Sequence, residues 1–270
     1  DRGERIGLAR EFRYAVEHRI DRVPPDVFAD CPRTPRELEP QNQVAALHNG
    51  MIAPLIPYGI TGALFYQGES NEDTATTYRD RFTAMIRDVR TRWGQGQFPF
   101  YFVQLANFRA NSRWAVLREA QHAALGEPNT AMVTAIDLGE PLDIHPRDKR
   151  SVGERLAGVA LRRHYGFLDC AADGPRLSRV DFEGSRARVH FEHADGLHSA
   201  DGEPVRGFEL AGADRRFFPA RGSIDDVNVI VASDEVRVPV ALRYAFTDDP
   251  EVNLVNGSGL PALPFRTDGW

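Results

Sequence analysis

Cysteine is nearly absent from this sequence of 270 residues: Cys31 and Cys170 stand far apart, neither with a second cysteine nearby. That excludes a zinc ribbon and a Cys-x-x-Cys redox pair, while a single disulfide and two free thiols both remain compatible with the spacing. Lysine is scarcer still, since Lys149 is the single lysine among 33 basic residues, a bias that points to a GC-rich genome and says nothing of chemistry. No apolar run approaches the roughly 18 residues of a membrane span, and the first residues are charged, so neither an anchor nor a signal peptide is visible in these residues. A basic block is also missing. The 33 basic residues against 39 acidic ones leave a formal charge of −6 with the signs interspersed, so the electrostatic footprint for nucleic acid or an anionic membrane is lacking. A neutral or small polar ligand is the expected partner. The first residue is Asp1 and not Met, which reads as a chain that is processed, trimmed or excerpted.

What is present is ordered in two styles. Ile6, Phe12, Val16 and Ile20 fall near one face among charges and predict a helix over the first twenty residues. Five prolines between 24 and 40 then predict a surface connection. Ala63-Leu64-Phe65-Tyr66 is a short apolar run that stops at a polar loop, as a buried parallel strand would. Tyr78, Phe82, Met85, Ile86, Val89 and Trp93 recur at helical spacing up to Gly94. A strand at 99–105, a helix at 113–125, a strand at 131–136 and a helix through Val152, Leu156, Val159 and Ala160 follow. This alternation predicts a parallel sheet with helices on both faces. Beyond about 170 the pattern changes to short β-type runs at 177–182, 187–191, 205–210, 227–231 and 240–246, separated by Gly, Asp and Asn turns, which predicts an antiparallel sandwich. The expected organisation is an α/β part over 1–168 and a β part over 173–270, with no internal repeat or heptad.

In such a sheet, ligands bind beyond the carboxyl ends of the strands, so polar loops placed there are the candidate sites. One is Gln67-Gly68-Glu69-Ser70-Asn71, where Gly68 permits close backbone approach and Gln67 or Asn71 offers side-chain N–H donors for an oxyanion. The same loop also reads as a polar turn that caps the next helix through Ser70 or Asn71. The second runs from Asp137 to Pro146 and holds Asp143 and His145, an imidazole with a neighbouring carboxylate, which is what a general base and its orienting partner require. The other histidines lack that combination. A metal held by Glu69, Asp143 and His145 has no recognised ligand spacing, and no cofactor is expected. A nucleophile is not evident: Ser70 is the serine at a candidate strand end, and Gly68-Glu69-Ser70-Asn71 only partly matches a nucleophile turn.

Read together, several segments go further than the spacing does. Leu47-His48-Asn49-Gly50-Met51-Ile52-Ala53-Pro54-Leu55, Gly62 to Asn71, Trp93-Gly94-Gln95-Gly96, Phe98 to Phe108, Leu117-Arg118-Glu119-Ala120-Gln121, Asp143-Ile144-His145-Pro146, Gly207 to Gly212 and Gly259 to Asp268 form an ordered series. It closely resembles the sialate O-acetylesterase family of the SGNH hydrolases over essentially the whole chain. The resemblance implies an SGNH-type, flavodoxin-like sheet followed by a β-sandwich. It also implies a serine esterase, secreted or periplasmic, that removes acetyl groups from sugar hydroxyls such as the 9-hydroxyl of sialic acid.

By that resemblance His145 is the base, Gln67 and Gly68 stabilise the oxyanion, and Glu69 and Asn71 line the substrate site. Two departures stand out. The family's nucleophilic serine lies in an upstream Gly-Gln-Ser-Asn-Met-type block that nothing here matches, so the serine is expected on an N-terminal segment of the same precursor. The family also places Asp three residues before the histidine, where this chain has Leu142; Asp143, two residues before, is then the first choice to orient His145, with Asp137 or a backbone carbonyl as rivals. An inactive carbohydrate-binding fragment and a self-sufficient esterase using Ser70 remain the alternatives.

Overall fold

The computed structural model describes residues 43–110 and 113–270. The helix expected over the first twenty residues, the proline-rich connection and Cys31 lie outside the described residues. Two compact units divide the chain, Asp1–Leu55 and Ile56–Trp270. In the first, the described residues form a π-helical turn at His48–Ile52 and a 3-10 turn at Ala53–Leu55.

The second unit opens with the predicted alternation. Strands β1 (Ala63–Phe65), β2 (Phe100–Gln104) and β3 (Thr130–Thr134) pair in parallel in the order β1-β2-β3. Helices α1 (Ala75–Trp93), α2 (Trp114–Ala123) and α3 (Lys149–Arg163) separate and follow them. Strand residues point alternately to the two faces, and the core obeys that period. Phe100 and Phe102 pack with Tyr78, Phe82 and Ile86 of α1 and Leu117 of α2, whereas Tyr101 and Val103 pack with Val152, Leu156 and Val159 of α3. All five residues of β2 are buried, as a central parallel strand requires. Gly94 ends α1 in the left-handed conformation, at φ 65°, and its N–H donates to the Arg90 carbonyl. Asp148 caps α3 by accepting from the Ser151 N–H at 2.9 Å and from its hydroxyl at 2.6 Å.

Nine short strands make up the rest. Seven of them, β4 (Arg176–Glu183), β5 (Arg186–Glu192), β7 (Val205–Ala211), β8 (Phe217–Asp225), β9 (Asn228–Ala232), β10 (Ala241–Tyr244) and β12 (Phe265–Arg266), form one antiparallel sheet in the order β12-β10-β7-β8-β9-β5-β4. β6 (His198–Ser199) and β11 (Leu254–Val255) make a separate ladder. The single sheet curls until it nearly closes: Phe191 on β5 meets Phe265 on β12 at 6.1 Å between ring centres, although β10, β7, β8 and β9 lie between those strands in the sheet. The two inner faces expected of a sandwich are thus opposite walls of one near-barrel around a common core that includes Val189, Phe208, Leu210, Val231, Leu242 and Tyr244.

Strand β8 was not predicted. Pro219 and Gly222 read as breakers in the sequence, yet a Cβ at Gly222 would lie 3.0 Å from both Phe208 and Val229, so the glycine is there for close packing inside the sheet. Among the described residues no helix is long and apolar enough to cross a membrane.

The near-barrel is fastened to α2. Arg266 of β12 makes a two-fold ion pair with Glu119, both contacts at 2.8 Å. The residue just before Glu119, Arg118, is fully buried and donates to the Ala106, Thr247 and Asp248 carbonyls.

Candidate active site

All three parallel strands end on the same edge, and the loops leaving β1, β2 and β3 therefore meet there. After β1 the chain turns sharply at Gly68, which the sequence needs because a Cβ at that position would sit 3.1 Å from the Gln121 amide and 3.4 Å from Leu105 and the Tyr78 hydroxyl. Gln121, almost fully buried, ties this loop to the next one: its Oε1 accepts from the Leu105 N–H at 2.9 Å and its Nε2 donates to the Gln67 carbonyl at 3.3 Å. The Tyr78 hydroxyl donates to the same carbonyl at 3.2 Å. Burial, reinforced by the Glu69 carboxylate, pushes the Tyr66 phenol up to about 12. Burial also carries Tyr78 to about 12, with the Gln121 contact working the other way and Glu69 adding to the rise. Both phenols are thus neutral throughout the ordinary pH range.

Within the loop, the Gln67 side-chain amide donates to Asn71 Oδ1 at 3.1 Å, and the Gly68 N–H donates to Glu69 Oε2 at 2.9 Å. An anionic oxygen already occupies the place at which this backbone donor points. The Gly68 N–H is thus a backbone donor taken up by the neighbouring carboxylate. Ser70 is exposed within the 3-10 turn Glu69–Thr74, and among the described residues no histidine is hydrogen-bonded to it.

The loop after β3 carries the imidazole. Ile144 packs into the α1–α2 side of the core and Pro146 is buried, so the alternating residues Asp143 and His145 project outward. The Asp143 carboxylate accepts the His145 backbone N–H at 2.9 Å and stands 3.7 Å from Nδ1 of the same ring, whose side chain is 87% exposed. Asp137, the rival acid, is taken up instead by Arg155 through two contacts at 2.7 and 2.6 Å. Of the carboxylates weighed from the sequence, Asp143 is the one the structure puts beside the imidazole.

Asn107, after β2, joins this loop to the near-barrel. Its Oδ1 accepts the Gly139 N–H at 2.8 Å and its Nδ2 donates to Asp249 at 2.8 Å. A Cβ on residue 139 would lie 2.0 Å from the Asn107 carbonyl oxygen, so only glycine fits. Gly139→Ala is expected to cost about 1–3 kcal/mol by forcing the two loops apart, and to displace the His145 loop with them. Thermal unfolding of the variant measures this; an unchanged midpoint would contradict the packing.

Gln67, Gly68, Glu69, Asn71, Asp143 and His145 were all legible as strand-end residues. Arg118, Gln121, Asn107, Gly139 and Asp249 were not assigned roles, although Trp114, Leu117, Arg118 and Gln121 share one helical face with spacings that mark burial.

A parallel sheet with a polar glycine-turn loop after one strand and an Asp–His pair after another defines an α/β protein whose candidate site lies at the carboxyl edge. Residues 42–162 match the family described as carbohydrate esterase, sialic acid-specific acetylesterase, and the chain belongs to that family. It is 32% identical to the sialate O-acetylesterase of Pongo abelii over 82% of this chain and 48% of that protein. The human sialate O-acetylesterase is 31% identical over the same shares. A crystal structure of a carbohydrate acetylesterase from Xanthomonas citri superposes with a TM-score of 0.81 at 44% identity, covering 86% of this chain and 56% of that one. The chain spans about half the length of the curated relatives it matches.

Proposed function

We propose that this chain provides the base and oxyanion donors of a carbohydrate O-acetylesterase. The observation that carries this reading is the outward-facing Asp143–His145 pair on one strand-end loop, sharing the carboxyl edge of the sheet with the Gly68 donor loop. In this reading a serine hydroxyl attacks the acetyl carbonyl while His145 takes its proton. The tetrahedral oxyanion displaces the Glu69 carboxylate from the Gly68 N–H and takes a second hydrogen bond from the Gln67 amide. Collapse breaks the ester bond, and His145 returns the proton to the departing sugar oxygen. Water then hydrolyses the acetyl-serine by the same route, releasing acetate. Asp143 orients the ring through its contact with the loop backbone and its proximity to Nδ1.

Ser70 has no imidazole partner among the described residues, and in this reading the nucleophilic serine is supplied by sequence outside the 270 residues.

The ester named by the curated relatives is that of sialic acid, and 9-O-acetylated sialic acid is the finer substrate reading carried here, with action outside the cytosol. The test is acetate release from acetylated sugars by the protein that includes the nucleophile, combined with a fluorophosphonate probe. Acetate release with the label on a serine outside these 270 residues is expected. No acetate release would overturn the activity, and a label on Ser70 would overturn the assignment of the nucleophile.

A further inference from the structure

The outer face of the near-barrel carries a groove that no residue of the α/β part lines. It holds about 410 Å³ over β5, β8 and β9, and Arg186, Arg221, Ser223, Asp225, Ile230 and Ala232 bound it. Strand register brings these residues together. Ala232 pairs with Arg221 of β8 on one side and with Arg186 of β5 on the other, so the three stand in one row across three strands. Residues directly paired in an antiparallel ladder share a face. Ala187, Val229, Val231 and Gly222 alternate with them and are buried, which leaves the row facing outward. Strands lie about 4.8 Å apart, so the two arginine backbones stand about 10 Å apart, with only the Ala232 methyl group between them. Two guanidinium side chains can close over that gap onto one ligand.

The neighbouring rows show what arginine does on this face when it has a partner. Arg188 reaches Asp225 at 2.6 Å and Glu183 at 3.7 Å. Glu183 is thereby turned away from Arg186, although the two are directly paired in the β4–β5 ladder. Asp181, across from Arg188, is taken up by Arg179 and His190 at 2.9 Å each. The carboxylates of these rows are thus engaged, whereas among the described residues none lies within ion-pair distance of Arg186 or Arg221. In a chain of formal charge −6, two uncommitted guanidinium groups on one groove make a local positive field.

The lining also says what fits. A guanidinium fork matches a carboxylate through two parallel N–H···O bonds. The volume lies in the range that holds a small organic ligand, and an inorganic anion would leave most of it empty. Ile230 and Ala232 give a small apolar floor for the C–H groups of a ring, and the Ser223 hydroxyl both donates and accepts. A carboxylate, an apolar ring face and hydroxyls together describe a sugar acid.

We propose that the Arg186–Ala232–Arg221 row is a non-catalytic site for the carboxylate of an acidic sugar, independent of any O-acetyl group and apart from the strand-end loops. It anchors an acidic glycan on the β part. That the ligand is a sugar rests on the esterase reading; that it is an anion rests on the two arginines. Amide chemical shifts of the 270-residue chain test the site during titration with three probes: the methyl glycoside of sialic acid without O-acetyl groups, the carboxamide of that glycoside, and inorganic phosphate. The acidic glycoside is expected to shift the amides of Ser223, Ile230 and Ala232 and to bind at least tenfold more tightly than the other two. Arg186→Ala and Arg221→Ala are each expected to weaken it by about tenfold; both residues are exposed, and unchanged shifts elsewhere confirm the fold. Binding that survives loss of the carboxylate, phosphate held as tightly as the sugar, shifts confined to the strand-end loops, or indifference to both folded variants would overturn the site. Acidic-sugar binding at β8 and β9 without acetate release by the protein that includes the nucleophile would overturn the esterase reading alone. Acetate release with no shift at β8 and β9 would overturn the site alone.

Discussion

On the proposed esterase reading, replacing His145 by alanine in a protein that includes the nucleophile is expected to slow acetyl-ester hydrolysis by about a thousandfold or more while leaving the thermal midpoint where it was. The first half follows from chemistry. A serine hydroxyl is a weak nucleophile until a base takes its proton, and the same base must then protonate the leaving sugar oxygen, so both steps lose their proton carrier together. The second half follows from geometry. The imidazole is 87% exposed and its loop is anchored by Ile144 and Pro146 on either side, so its removal leaves neither a cavity nor an unpaired buried group. Turnover of a chromogenic acetate ester and a melting curve on the same preparation make the check. Near-normal turnover would remove His145 from the mechanism, and a large fall in midpoint would give it a structural role instead.

The largest effect on stability is expected at Arg118→Met. The guanidinium is buried without exposed surface, and burial pulls it down to about 10, with Asp248 and Asp249 pushing the other way; it is still charged at neutral pH. Hydrogen bonds to a charged group contribute about 1.5–3 kcal/mol each. The cost of burying the charge offsets part of that gain. Two of the three carbonyls keep another donor, Ala106 from the Trp114 indole at 2.8 Å and Asp248 from the Phe108 N–H, whereas Arg118 is the donor seen on Thr247. A net loss of about 3 kcal/mol is therefore expected, which for a chain of this size is a fall in Tm of roughly 6–12 °C. Methionine preserves most of the volume, so the loss reports the lost donors and not a cavity. A variant as stable as the parent would show that the burial cost of the charge cancels its hydrogen bonds, and that the near-barrel is held by the Glu119–Arg266 pair and apolar packing.

The two halves of the fold were unequally legible. Tyr78, Phe82 and Ile86 announce α1 by spacing alone, and the five buried residues of β2 read as a central strand for the same local reason. Strand β8 escaped because Pro219 and Gly222 carry the local signal of a turn, while what makes them a strand is the pressure of Phe208 and Val229 from neighbouring strands. The curl of the seven-stranded sheet escaped as well, since the meeting of Phe191 and Phe265 depends on how four intervening strands twist.

At the site the same division holds. Asp143, His145 and the Gly68 loop were visible because a strand end followed by polar residues is a local pattern, and the sequence preferred Asp143 over Asp137 by proximity alone, whereas Arg155 reaching back from α3 to take up Asp137 was not visible. From its residues alone this sequence determined the order of strands and helices from β1 to α3, the change to β structure near 170, and the loops able to carry chemistry. Each of these is written in hydrophobic period and turn residues within a dozen positions. Only the tertiary structure decided which acid stands by the histidine, how α2 grips the near-barrel, and where a groove lies. Those depend on contacts such as Asn107 with Asp249, separated by 142 positions, whose pairing no local pattern encodes.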